Sequence, residues 1–224
     1  MIAEILPAVA RLARTPRTWL WSSVWASVAI AFAIHARQNG WPHGASDALL
    51  GPYAALVLPL LAYVLVRGTV GPGSLGASIR PLVGLGASPW KAAAGTGLVA
   101  MAACALGGAA LGATVAMAAH GTADPPVVRD ALTSAYAGAV GGVAYAAVLV
   151  AGTRLGGFGA LACLAVDWVL GAGSGEASIV VPRAHLRNLL GGVAPMGMAG
   201  RASAVALVMI GVVGFALAVV RKRG

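Results

Sequence analysis

The sequence predicts an all-α polytopic membrane protein: six transmembrane helices, an N-terminal amphipathic interface helix and both termini cytoplasmic. Three observations carry this. Hydrophobic residues make up 59% of the 224 positions and charged residues only 9%, against about 25% charged in soluble domains. Apolar runs recur at lengths near the roughly 20 residues that a helix needs to cross a bilayer. Lysine and arginine gather between alternate runs, as they do in cytoplasmic loops. The chain has room for one transmembrane domain, 1–224, and no separate soluble one.

Residues 2–14 form the interface helix. Ile2, Ile5, Leu6, Val9, Leu12 and Ala13 share one side of a helical wheel, while Glu4, Arg11 and Arg14 fall on the other. Pro7 predicts a late start to its regular part. Arg11, Arg14 and Arg17 precede the first apolar run as in a signal peptide, but Ile34 and His35 spoil a small-residue cleavage site, so the run is expected to stay as a span.

Spans are expected at 18–35, 48–66, 92–119, 131–153, 155–171 and 202–220. With the N-terminus inside, ten basic residues fall on the inner side: Arg11, Arg14, Arg17, Arg67, Arg80, Lys91, Arg154, Arg221, Lys222 and Arg223. Five fall outside: Arg37, Arg129, Arg183, Arg187 and Arg201. That imbalance sets the orientation. Around Arg154 the connection nearly vanishes, so spans four and five form a tight hairpin.

The loop 67–91, RGTVGPGSLGASIRPLVGLGASPWK, holds a short amphipathic helix that Ser78 is expected to cap. Ile79, Leu82 and Val83 share one of its faces, and Gly84 and Gly86 loosen its end. Ser88 followed by Pro89 restarts the chain as the third span, anchored by Trp90 and Lys91. The loop 172–201 is helical as well. There Pro182 opens RAHLRNLL and Gly191 closes it, with Leu186, Leu189 and Leu190 on one face, a helix expected at the outer surface either as a gate or as a cover for the loop.

The pairs Gly108 and Gly112, Gly138 and Gly142, Gly152 and Gly156, and Gly211 and Gly214 read as helix-packing faces. Asp167 is the one charge well inside a predicted span. It sits near that span's end beside Trp168, which fits an interfacial belt better than an ion path.

Several function classes fall away. The formal charge of +9 is that of topology signals and lipid-headgroup partners, with no nucleic acid implied. GPGSLGASIR lacks the lysine ending of a P-loop, and no GxSxG elbow occurs, so the chain is not catalytic alone. Spans three, four and six lack the buried acids and bases of a proton relay. Cys104 and Cys163 lie in separate apolar runs, outside any CxxC pattern. His43, His120, Asp124 and His185 share a side but have no ligand spacing, so no metal is expected.

An interface helix, six spans, the loop Ser78 to Leu98 (SIRPLVGLGASPWKAAAGTGL) and a helical loop before the last span together resemble the membrane (permease) subunit of a type 2 ATP-binding-cassette (ABC) exporter. The resemblance implies an inner (plasma) membrane protein that pairs with a second permease copy or paralogue and with two soluble ABC ATPase subunits. It implies a coupling helix within the cytoplasmic coupling loop 67–91, through which Ile79, Arg80, Leu82 and Val83 contact the ATPase. It implies further that no cofactor is bound by this chain and that ATP and Mg sit on the partner. The loop departs from such permeases in having no carboxylate and only Arg80 and Lys91 as cations near the helix. A non-transporting membrane anchor or assembly subunit has the same topology. The substrate class stays open among lipid, peptide, drug and polysaccharide.

Overall fold

The computed structural model describes residues 2–220, with side chains from Glu4 onward. Arg221, Lys222 and Arg223 and the side chain of Ile2 therefore lie outside the described residues. The described chain is all-helical, 82% helix without a strand. Five of its helical stretches are long and apolar enough to span a membrane.

The order is α1 (Ile2–Arg14), α2 (Pro16–Gln38), α3 (Gly44–Ala48), a π-helical stretch (Leu49–Val57), α4 (Leu58–Val70) and α5 (Leu75–Gly84). There follow α6 (Pro89–Ala119), α7 (Val127–Thr153), α8 (Gly159–Leu170), α9 (Pro182–Leu189) and α10 (Gly200–Val219), with single 3-10 turns at Glu176–Val180 and Pro195–Gly197. Helix α1 runs unbroken through Pro7. Near a helix start the missing N–H removes only one early bond, so the expected late start does not occur.

The centre of the bundle is the antiparallel pair α6 and α7. Their glycines let the backbones touch: a Cβ on Gly108 would overlap the Gly138 carbonyl, and one on Gly142 would overlap the Cys104 carbonyl. The Tyr53 hydroxyl plugs the crossing by donating to Gly108 O at 2.7 Å. Gly152 packs on Gly159, but its predicted mate Gly156 has φ +113° and forms the turn into α8 instead. Helix α2 packs through the alanine stripe Ala29, Ala33 and Ala36 while Leu20, Val24 and Val28 point outward. Helix α10 does the same, burying Ser203, Leu207, Gly211 and Gly214 and exposing Val205, Val208 and Val212. Small residues inside and branched apolar residues outside is the arrangement for a lipid solvent.

Helix α8 differs from the fifth span expected at 155–171. Its 12 residues rise about 18 Å, short of a hydrocarbon core about 30 Å thick. It runs antiparallel to α7, with Gly159 against Gly152 and Asp167 meeting Tyr145.

Helix α9 is not at the surface. His185 and Leu186 are fully buried, Leu186 lies beside Leu58 and the position of a Gly141 Cβ, and Leu189 and Leu190 pack half-buried on the core. Its hydrophobic face found the bundle interior because α8 stops short and leaves the space.

Candidate functional site: the α5 brace and the α8–α9 cluster

Helix α5 begins one turn earlier than expected. Its N-cap is Ser74, whose hydroxyl accepts from Ala77 N at 3.2 Å, and Leu75 is buried. Ser78 lies inside the helix and has another task. The Arg11 guanidinium donates to Thr69 O at 2.8 Å, to Val70 O at 3.1 Å, to the Ser78 hydroxyl and to Ser78 O at 3.2 Å. One cation thereby fastens α1, the last carbonyls of α4 and α5 together. Carbonyls at a helix C-terminus lack internal partners and carry partial negative charge, so a guanidinium suits them. Partial burial pulls the Arg11 pKa down from the ordinary arginine value. Arg67 holds the preceding turn, donating to Pro72 O, to Gly73 O at 3.3 Å and to Gly157 O at 3.5 Å.

Arg11 was assigned to the polar side of α1, and it points into the protein. Ile5 and Leu12 are half-buried, whereas Leu6, Val9 and Arg14 are exposed. On α5 the inward side is Leu75, Ile79 and Leu82, spaced by four and three residues, with Ile79 packed on the core. Arg80 and Val83 are exposed, followed by Leu85, which is 87% exposed. The helix ends as a Schellman motif: Ala87 N donates to Leu82 O at 3.0 Å and Gly86 N to Val83 O at 3.0 Å, with Gly86 at φ +93°. Ser88 and Pro89 open α6, and Lys91 stands 5.7 Å from the Trp90 ring.

Asp167 is 3% exposed, covered by the bundle, whereas its neighbour Trp168 is half-exposed. Tyr145 lies eight residues before the end of α7, about 12 Å along the helix, and its hydroxyl donates to Asp167 Oδ2 at 2.8 Å. Arg183 N, in the first turn of α9, donates to Oδ1 at 3.0 Å. The Arg183 guanidinium bonds Trp168 O at 3.0 Å and stands 5.9 Å from the Trp168 ring. Trp168 Nε1 in turn donates to Ala55 O in the π-helical stretch at 2.6 Å. Asp167 thus joins α7, α8 and α9 at one point, and a buried carboxylate with two donors is the satisfied form of such a group.

A second chain of bonds seats α9 on α10. Asn188 Nδ2 donates to Ser203 Oγ at 2.8 Å, Ser203 Oγ meets His185 Nδ1 at 3.1 Å, and His185 Nε2 meets Ile179 O at 2.7 Å. The carbonyl can only accept, so Nε2 carries the proton there. His185 is consequently engaged in the bundle and stands apart from the other residues weighed as ligands.

Helices α8 and α10 leave a groove of about 1000 Å³ over α7. Val148, Leu155, Cys163, Ile179, Met209 and Val213 are among its lining, with Ser74 and Arg154 at the end nearest α5. Arg154 donates to Leu217 O at 2.9 Å and to Val220 O.

The sequence shows no sign of Tyr145, Arg183, Asn188 or Ser203 as a group, because their partners lie 15 to 22 residues away. A tyrosine deep in an alanine- and glycine-rich span is the available signal, since a buried phenol needs a partner.

No family model, curated protein or solved structure matches the chain.

Proposed function

We propose that the chain is the membrane-spanning permease subunit of an ATP-driven exporter similar to type 2 ABC systems. In this reading separate ATPase subunits holding ATP and Mg²⁺ dock on α5 from the cytoplasm. The observation that carries the reading is the Arg11 brace. A docking helix can pass on a push only if it is fixed to the spans, and α5 is tied at Ser78 to α1 and the end of α4 while leaving Arg80 and Val83 exposed. Arg80 and Val83, with Leu85, form the contact, and Ile79 and Leu82 transmit it inward.

The chain crosses the inner (plasma) membrane six times with both ends in the cytoplasm, α8 and α9 in series making the fifth crossing. Successive contacts along α7 at Gly152, Tyr145 and Gly141 support that reading. Leu186, Leu189 and Leu190 form the inner side of a gate, and the groove between α8 and α10 is this subunit's share of a path completed by a second permease copy.

The test is copurification from native membranes. The wild type should bring down a P-loop ATPase. A double variant, Arg80→Glu with Val83→Asp, should lose it with an unchanged melting temperature in detergent. Absence of an ATPase from the wild-type sample, or its retention by the variant, overturns the proposal.

A further inference from the structure

The end of the bundle opposite α5 holds a group of side chains that the exporter reading does not use. His120 follows the last residue of α6, Asp124 sits in the turn, and Asp130 lies in the first turn of α7. One ligand atom from each falls within 4.8 Å of the other two.

Asp124 is held rigidly. Its Oδ2 accepts from Ala45 N and Gly121 N, both at 2.8 Å, and its Oδ1 meets Ser46 Oγ at 3.4 Å. The turn is docked on the segment between α2 and α3, with Ala123 N donating to Pro42 O at 2.9 Å. The other two ligands contrast with this. His120 Nδ1 and Asp130 Oδ2 are both closed off from solvent, and neither has a hydrogen-bond partner. Orphaned buried polar atoms are rare in folded proteins and call for an ion, a water or a functional reason. Two such atoms, on the two residues grouped with an anchored carboxylate, share one explanation.

We propose that His120, Asp124 and Asp130 bind a first-row divalent cation such as Zn²⁺. An imidazole nitrogen with two carboxylates suits zinc or manganese, whereas calcium and magnesium favour oxygen alone. Three protein ligands leave a position for water. The backbone donors on Asp124 are the outer-shell contacts that orient a metal-binding carboxylate. The cation ties the end of α6 and the turn after it to the first turn of α7, at the place where Asp124 and Ala123 already bond to Ala45 N and Pro42 O, a role independent of α5 docking.

The experiment uses the full chain in detergent, purified without a polyhistidine tag and stripped with chelator. Zn²⁺ is titrated calorimetrically and by melting temperature, and Co²⁺ is followed by visible absorption. The expected result is one equivalent bound per chain, a rise of several degrees with Zn²⁺ and little with Mg²⁺, and visible Co²⁺ bands showing nitrogen and oxygen ligation. His120→Ala and Asp130→Asn should weaken binding about tenfold or more, and His43→Ala should not. The Co²⁺ spectrum of the wild type decides the matter even if a variant fails to fold. No saturable binding to the wild type, or undiminished binding to folded His120→Ala and Asp130→Asn, overturns the proposal.

Discussion

The Arg11 guanidinium donates to both the hydroxyl and the carbonyl of Ser78, 67 residues away, while the same side chain holds the end of α4. A residue of the amphipathic N-terminal helix is thereby a structural part of α5.

Replacing Arg11 by Met keeps the stem and removes the bonds. The expected loss is about 1–3 kcal/mol, with faster amide exchange confined to residues 75–84 and the end of α4. Arg11→Lys should recover only part of it, since an ammonium lacks the planar fork that spans several acceptors. Hydrogen exchange by mass spectrometry reads both.

Gly138→Ala places a methyl against the Gly108 carbonyl and the Tyr53 hydroxyl. Neither backbone has room to retreat in the central pair, so a loss of about 1–3 kcal/mol is expected. Gly84→Ala is the control, because nothing lies within 4 Å of its added methyl and its φ is helical. Melting in detergent should fall for the first variant and hold or rise for the second.

Tyr145→Phe leaves Asp167 Oδ2 without its donor and should destabilise by about 1–3 kcal/mol. Asp167→Ala removes both contacts, loosening α9 from α8. A double-mutant cycle on the two positions should show strong coupling, while Tyr145 paired with a remote residue such as Trp90 should be additive.

The two native cysteines report the groove without any mutation. Cys163 lines it and is half-buried, whereas Cys104 is 1% exposed. A membrane-permeant thiol reagent should modify Cys163 and spare Cys104, as peptide mapping would show.

Orientation is checked by a single cysteine in place of Leu85, 87% exposed next to α5, in a chain whose own cysteines are alanines. An impermeant maleimide should label it in inverted vesicles and not in intact cells.

The long helices are legible in the sequence because length and apolarity are local properties. Ser88 with Pro89 marks the start of α6, and the Gly108 and Gly138 spacings mark the faces that meet. Local patterns do not decide between Ser74 and Ser78 as the cap. Leu75, buried by tertiary packing, draws the helix start forward one turn. The depth of Asp167 is hidden for a similar reason: it follows from where α8 begins against Gly152 and from α9 folding back to offer Arg183 N. Arg11 misleads the helical wheel because a wheel separates polar from apolar and cannot tell water from a ring of carbonyls.

The wide winding of Leu49–Val57 around Pro52 bears on which lengths of this span the fold accepts. Deleting one residue from an ordinary membrane helix swings everything beyond the cut by about 100°, and its packed stripe is lost to lipid. A π-helical stretch carries surplus residues per turn. Excising Gly51, whose added methyl would meet nothing within 4 Å, lets the stretch rewind more tightly and leaves Leu58 and the residues after it facing their present neighbours.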